Sequence, residues 1–151
     1  MAKNETTVAD DNFGFDIPVR YDADVAVEGV WSPPVLDEHD QCWGEFKLVM
    51  YDGDNPAIKK TQERVKNKYA KAIRLKQVTA DDLALEVFLE AILLDWKGVK
   101  KGGNEVPYSK EVAKQYFSIP AVRKVVFVEL LEFAADVRNY GAADKDEISG
   151  N

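Results

Sequence analysis

Apolar positions are densest between Thr79 and Trp96, where Leu83, Ala84, Leu85, Val87, Phe88, Leu89, Ala91, Ile92, Leu93, Leu94 and Trp96 are broken only by Glu86, Glu90 and Asp95. The Thr79 hydroxyl can accept from a first-turn N–H, and Asp81 and Asp82 sit at the positive end of the helix dipole, so the pattern predicts a helix over 79–96. Glu86 and Glu90 lie four apart and form one narrow polar stripe, which leaves a helix that others must cover. Eighteen residues could span a bilayer. Three acidic residues inside the run would each cost about 2.5–3.5 kcal/mol at mid-membrane, so the expectation is a core helix and no membrane.

The flanking pattern supplies the cover. Val25, Val27 and Trp31 alternate with small or polar residues and predict a strand within Phe15–Val30, while Trp43–Tyr51 predicts a second with Phe46, Leu48 and Met50 on one face. Asn55 followed by Pro56 opens a helix to about Lys76, with Ile58, Val65, Tyr69, Ala72 and Ile73 as its apolar stripe. Glycines at 98, 102 and 103 form a turn, and Ser109 caps a short helix over 110–117. A last helix over 121–138 turns Val122, Val125, Val126, Phe127, Leu130, Phe133, Ala134 and Val137 toward the central one. The predicted fold is α+β: mainly a bundle of about four helices over 56–138 with a small N-terminal antiparallel sheet within 13–51. Leu85, Phe88, Ile92, Val126, Leu130 and Phe133 sit at its centre. Residues 1–12 and 141–151 are polar and charged, so they predict a disordered N-terminus and a flexible acidic tail around a single globular domain over 13–140.

Charge is unevenly spread. Residues 1–55 carry three basic against thirteen acidic side chains, residues 56–76 eight against one, and residues 77–151 nine against thirteen. The middle helix is therefore basic in an acidic chain of net charge −7. Such a face suits docking on an acidic surface, its own or a partner's, better than general nucleic-acid binding, for which Tyr69 is the one stacking ring on that helix. The N-terminal text has no apolar export segment, which predicts action in the cytoplasm. One cysteine, Cys42, and one histidine, His39, leave no zinc ligand set, and no phosphate loop, dinucleotide fingerprint, nucleophile elbow or Cys-x-x-Cys occurs. Glu86 and Glu90 lack an accompanying histidine and read as a solvated stripe rather than an acid/base pair. No enzyme, metal or cofactor is expected.

Leu94-Asp95-Trp96-Lys97-Gly98-Val99, a Lys/Gly/Asn linker, and then Val106-Pro107-Tyr108-Ser109-Lys110-Glu111 with a closing helix resemble the tail assembly chaperone families of long-tailed, siphovirus-like bacteriophages. The likeness spans about residues 25–140. Lys100–Asn104 is basic and glycine-rich where the family turn is usually acidic. The resemblance implies a non-catalytic protein of the host cell cytoplasm that binds and solubilises the phage tape-measure protein and helps recruit tail-tube protein during tail morphogenesis. Trp96, Val99, Pro107 and Tyr108 would then belong to a client surface, and Lys60, Arg64, Lys68 and Lys71 would add charge complementarity. The competing reading is a structural minor tail or head–tail joining protein of the virion. The nearly all-apolar central segment also makes a homo-oligomer plausible.

Overall fold

The computed structural model describes residues 12–141 of the 151-residue chain. The expected disorder of 1–12 and the acidic tail of 141–151 fall almost wholly outside the described residues. A helix α1 (Ala23–Glu28) precedes two short strands, β1 (Val30–Trp31) and β2 (Val35–Leu36), and the long strand β3 (Cys42–Leu48). Next come α2 (Pro56–Lys68), α3 (Ala70–Arg74) and α4 (Ala80–Val87), the last continuing into a π-helical turn, Phe88–Ile92. Strand β4 (Leu93–Lys97) and the hairpin β5 (Lys100–Lys101) and β6 (Asn104–Glu105) lead to α5 (Lys110–Tyr116). The final helical stretch is α6 (Pro120–Val122), a second π-helical turn (Arg123–Phe127), α7 (Val128–Ala135) and a 3-10 turn (Val137–Tyr140).

Strand β3 is the axis of the sheet. It pairs antiparallel with β1 at Leu48 and Lys47, with β2 at Gly44 and Cys42, and with β4 from Glu45↔Lys97 to Leu48↔Leu93. Along β3 and just beyond it, Phe46, Leu48, Val49 and Met50 are all buried. Phe46, Leu48 and Val49 join Ile58, Val65, Leu85, Phe88, Ile92, Phe117, Val126 and Leu130 in one contiguous core. The two π-helical turns meet there, with the Phe88 and Phe127 rings 5.2 Å apart, edge to face. A π turn adds a residue to the helical repeat, and within the first of them Phe88, Leu89 and Ile92 are all buried.

A smaller cluster of Ala26, Met50 and Tyr140 fastens α1. Asp22 N–H donates to the Tyr140 carbonyl at 2.8 Å, Met50 N–H to the Ala26 carbonyl at 3.0 Å, and the Tyr140 hydroxyl to the Leu48 carbonyl at 3.2 Å. Burial raises the Tyr140 hydroxyl pKa well above that of a free tyrosine, as expected for a phenol used as a buried donor.

The expected fold needs correction. There is no bundle of about four helices with a separate N-terminal sheet; the described residues form a mixed α+β fold in which the sheet is built from both halves of the chain. The predicted helix over 79–96 stops at Ile92, and Leu93–Lys97 pairs with β3 instead. An apolar run long enough to be a buried helix carries the same pattern as a shorter helix followed by a buried strand. The strand predicted around Val25 and Val27 is the helix α1, which Asp22 caps by accepting from the N–H groups of Asp24 and Val25. Of the six residues placed at the centre, five are buried and Phe133 is half-buried.

Candidate functional site

The segment from β4 to α5 folds around Trp96. Its ring is 4% exposed and meets Phe46, Tyr108 and Tyr116 edge to face at 6.3, 5.4 and 5.5 Å. The indole N–H donates to the Val106 carbonyl at 2.8 Å, and the Tyr108 hydroxyl donates to the Leu93 carbonyl at 3.3 Å. Val106 N–H in turn donates to the Val99 carbonyl at 2.8 Å, closing the loop onto the strand end. Between them Gly102 and Gly103, with φ of 61° and 84°, make the two-residue turn of the β5–β6 hairpin, the backbone geometry that favours glycine. Ser109 then accepts from the Val112 N–H and starts α5. Burial pushes the Tyr116 hydroxyl up to about 12, and it donates to the Trp43 carbonyl.

The Asp-Trp-Lys-Gly-Val and Val-Pro-Tyr-Ser strings are therefore halves of one packed unit. Trp96 and Val99 are buried in it and unavailable to a partner, Tyr108 is half-buried, and Pro107 is exposed. Leu94, the residue bulged out of the β3–β4 pairing, is the other exposed apolar side chain of the segment. Asp95 accepts from the Trp96 N–H at 2.8 Å and thereby occupies a donor on this strand.

The basic helix α2 lies against the acidic stripe of α4. Arg64 donates to both carboxylate oxygens of Glu90 at 2.6 and 3.3 Å. Lys68 donates to Glu86 at 3.0 Å, and the Tyr69 hydroxyl to the same carboxylate at 2.8 Å. Glu86 and Glu90 are thus not a solvated stripe, since the cations that answer them lie on the preceding helix. Burial pushes the Glu86 carboxyl up, but the donors from Lys68 and Tyr69 outweigh it and hold the group below its ordinary value. Lys110 closes the far side by donating to the Glu90 carbonyl at 3.0 Å, leaving a charged groove of about 240 Å³. Lys60 and Lys71 are exposed and make no ion pair among the described residues.

Two apolar surfaces escaped the sequence reading. Phe15, Ile17 and Val19 alternate along an extended stretch and are 71, 55 and 86% exposed, and Phe13, in the turn before it, is 91% exposed. Phe127, Val128, Leu131 and Ala135 line a groove of about 530 Å³ flanked by Asp81, Arg123, Lys124 and Glu132. The period-2 pattern at 13–19 and the off-stripe pair Val128 and Leu131 were the available signals. Among the described residues no group of three or more His, Cys, Asp or Glu side chains could hold a metal ion, and no helix is long and apolar enough to cross a membrane.

The geometry defines an α+β protein whose candidate surface is a tryptophan-centred strand and loop next to a cationic helix. Residues 53–151 match the family model of the YdaY prophage protein, and the chain belongs to that family. It is phage-derived. The match takes in the helices from α2 onward and the Trp96–Tyr108 unit, and begins after β3. It does not extend to a tail assembly chaperone family. No curated protein and no solved structure matches the chain.

Proposed function

We propose that this prophage protein is a non-enzymatic assembly factor: a tail assembly chaperone that holds the tape-measure protein soluble in the host cytoplasm and helps bring tail-tube protein to it. The observation that carries the reading is the Trp96 unit. The two strings on which the tail-chaperone resemblance rests are separated by a hairpin, and Trp96 joins them through the Val106 carbonyl and the Tyr108 ring. The spacing of the strings thus has a structural cause. A holder of apolar helical clients needs exposed apolar side chains on a rigid base and enough charge to stay dissolved. Leu94 and Pro107 supply the first on this unit, and Lys60 on α2 and Lys71 on α3 add unpaired positive charge.

The client surface is accordingly assigned to Leu94, Pro107 and the exposed edge of Tyr108, with Trp96 and Val99 as its support. Co-expression with the tape-measure protein of the same phage tests this. The client is expected in the soluble fraction with the intact chain and in the pellet with a Leu94→Asp, Pro107→Asp double variant that still folds. Equal client solubility with and without the chain would overturn the function, and undiminished rescue by the double variant would overturn the surface.

A further inference from the structure

The cations of α2 and α3 fall into two groups. Arg64 and Lys68 turn toward α4 and are taken by Glu90 and Glu86. Lys59, Lys60, Lys66, Lys71 and Arg74 are exposed and make no ion pair among the described residues. The fold therefore answers the cations that its own carboxylates reach and leaves a row of like charges on the other side of the same rod.

That side has a defined shape. The Tyr69 N–H donates to the Val65 carbonyl at 3.0 Å and the Ile73 N–H to the Tyr69 carbonyl at 2.8 Å, so the helical ladder runs through the junction of α2 and α3. Together they make a rod of about 28 Å. At about 100° per residue, Ile58, Val65 and Ala72 share the face turned to the core, and Glu63, Asn67, Ala70 and Arg74 form the crest opposite. Lys59 and Lys66 flank this crest on one side, Lys60 and Lys71 on the other. Glu63, Lys66, Asn67 and Ala70 have the spacing of the four residues that receive a knob when one helix packs on another. With Ile73 and Arg74 they line a hollow of about 590 Å³, whose small Ala70 leaves room for an incoming side chain.

We propose that this outer face docks an acidic amphipathic helix of a partner protein. An apolar side chain of that helix enters the hollow at Ala70 and Ile73, and carboxylates on either side of it answer Lys59 and Lys66, Lys60 and Lys71. Charges flanking a helix-packing seam choose the partner by sign, and here both flanks are positive. A phosphate backbone would suit the flanks and not the crest. It would meet Glu63, and it would gain nothing from Ala70 and Ile73. The one aromatic ring of the rod, Tyr69, is held by Glu86 and Lys68 rather than free to stack on a base. The inference does not rest on the tail-chaperone reading, and its test leaves Leu94 and Pro107 untouched and uses no phage partner.

The probe is a labelled three-heptad peptide with leucine at a and d and glutamate at e and g, titrated with the full chain and followed by fluorescence anisotropy. Binding is expected, with gain of peptide helicity by circular dichroism and a dissociation constant that rises with added salt. The double variant Lys66→Ala, Arg74→Ala should raise that constant at least about tenfold. Ala70→Gln fills the hollow without changing any charge and should raise it at least about threefold. All three positions are exposed, so both variants should keep the circular dichroism of the parent. No binding by the full chain, or a constant unmoved by Ala70→Gln, would overturn the proposal. Equally tight binding of a scrambled peptide of the same composition would also overturn it, by showing that charge alone is read. Tighter binding of a short DNA duplex than of the peptide would do the same and make the partner a nucleic acid.

Discussion

The indole N–H of Trp96 donates to the carbonyl oxygen of Val106 at 2.8 Å, tying strand β4 to the loop that follows the β5–β6 hairpin. The bond matters because the ring that makes it is buried. A carbonyl facing a 4% exposed side chain has little access to replacement water once the donor is gone. Trp96→Phe keeps the aromatic contacts and loses the donor, so it should cost about 1–3 kcal/mol. Trp96→Ala also opens a cavity and should cost about 3–5 kcal/mol. Urea denaturation of both variants checks the order; equal stability of Trp96→Phe and the parent would mean the bond contributes nothing.

Glu86 links stability to pH. The folded carboxyl titrates below its ordinary value of 4.5, because donors from Lys68 and Tyr69 overcome the opposing effect of burial. A depressed carboxylate stabilises the fold above its unfolded pKa, and that stabilisation disappears as pH falls through the folded value. Glu86→Gln should therefore melt below the parent near neutral pH, with the gap closing below about pH 4. Thermal melts across the pH range read this directly, and a gap that persists in acid would point to packing rather than charge.

Lys76 offers a stabilising substitution. It ends α3 with φ of 57°, its N–H donating to the Ile73 carbonyl and that of Gln77 to the Ala72 carbonyl, the pair of bonds that closes a helix on a left-handed residue. Glycine adopts that conformation without the steric cost that a lysine Cβ incurs, so Lys76→Gly should gain about 1 kcal/mol. Lys76→Ala, which keeps the Cβ, should gain nothing. A destabilised glycine variant would show that the lysine side chain contributes more than its backbone strain costs.

Gly44 works in the opposite sense. Its φ is 133°, and a Cβ there would lie 3.1 Å from the Lys97 carbonyl oxygen and 3.1 Å from a Val99 methyl. Gly44→Ala should cost about 1–3 kcal/mol and loosen the β3–β4 pairing next to the Trp96 unit. Hydrogen exchange at Glu45 and Lys97 would report the loosening; unchanged protection and stability would mean that the backbone relaxes freely.

Local chemistry made much of the fold legible. Asn55–Pro56, the reciprocal Thr79–Asp82 box and Ser109 each set a helix start that depends on only a few neighbouring residues, and each stands where the sequence puts it. Tertiary choices were not legible. Leu93–Trp96 is apolar enough for either helix or strand, and the open hydrogen-bonding edge of β3, some fifty residues earlier, decides between them. Val25 and Val27 alternate like a strand, yet the cap at Asp22 and the Met50–Ala26 hydrogen bond hold them in a helix. At the candidate site the tryptophan was recognisable from the motif. Which side of the strand it occupied depended on a register that no single segment encodes. Arg64 and Lys68 likewise stood out as cations, and Glu86 and Glu90 as a stripe, but only the crossing of α2 and α4 makes them partners.

The account rests on a releasable, non-covalent grip during assembly, and quantitative mass spectrometry of a phage that encodes this chain tests it most directly. The chain should be abundant with the tape-measure protein in assembling lysates and absent from purified particles. Its recovery from mature particles at a fixed stoichiometric ratio would contradict the account and make it a structural component of the virion.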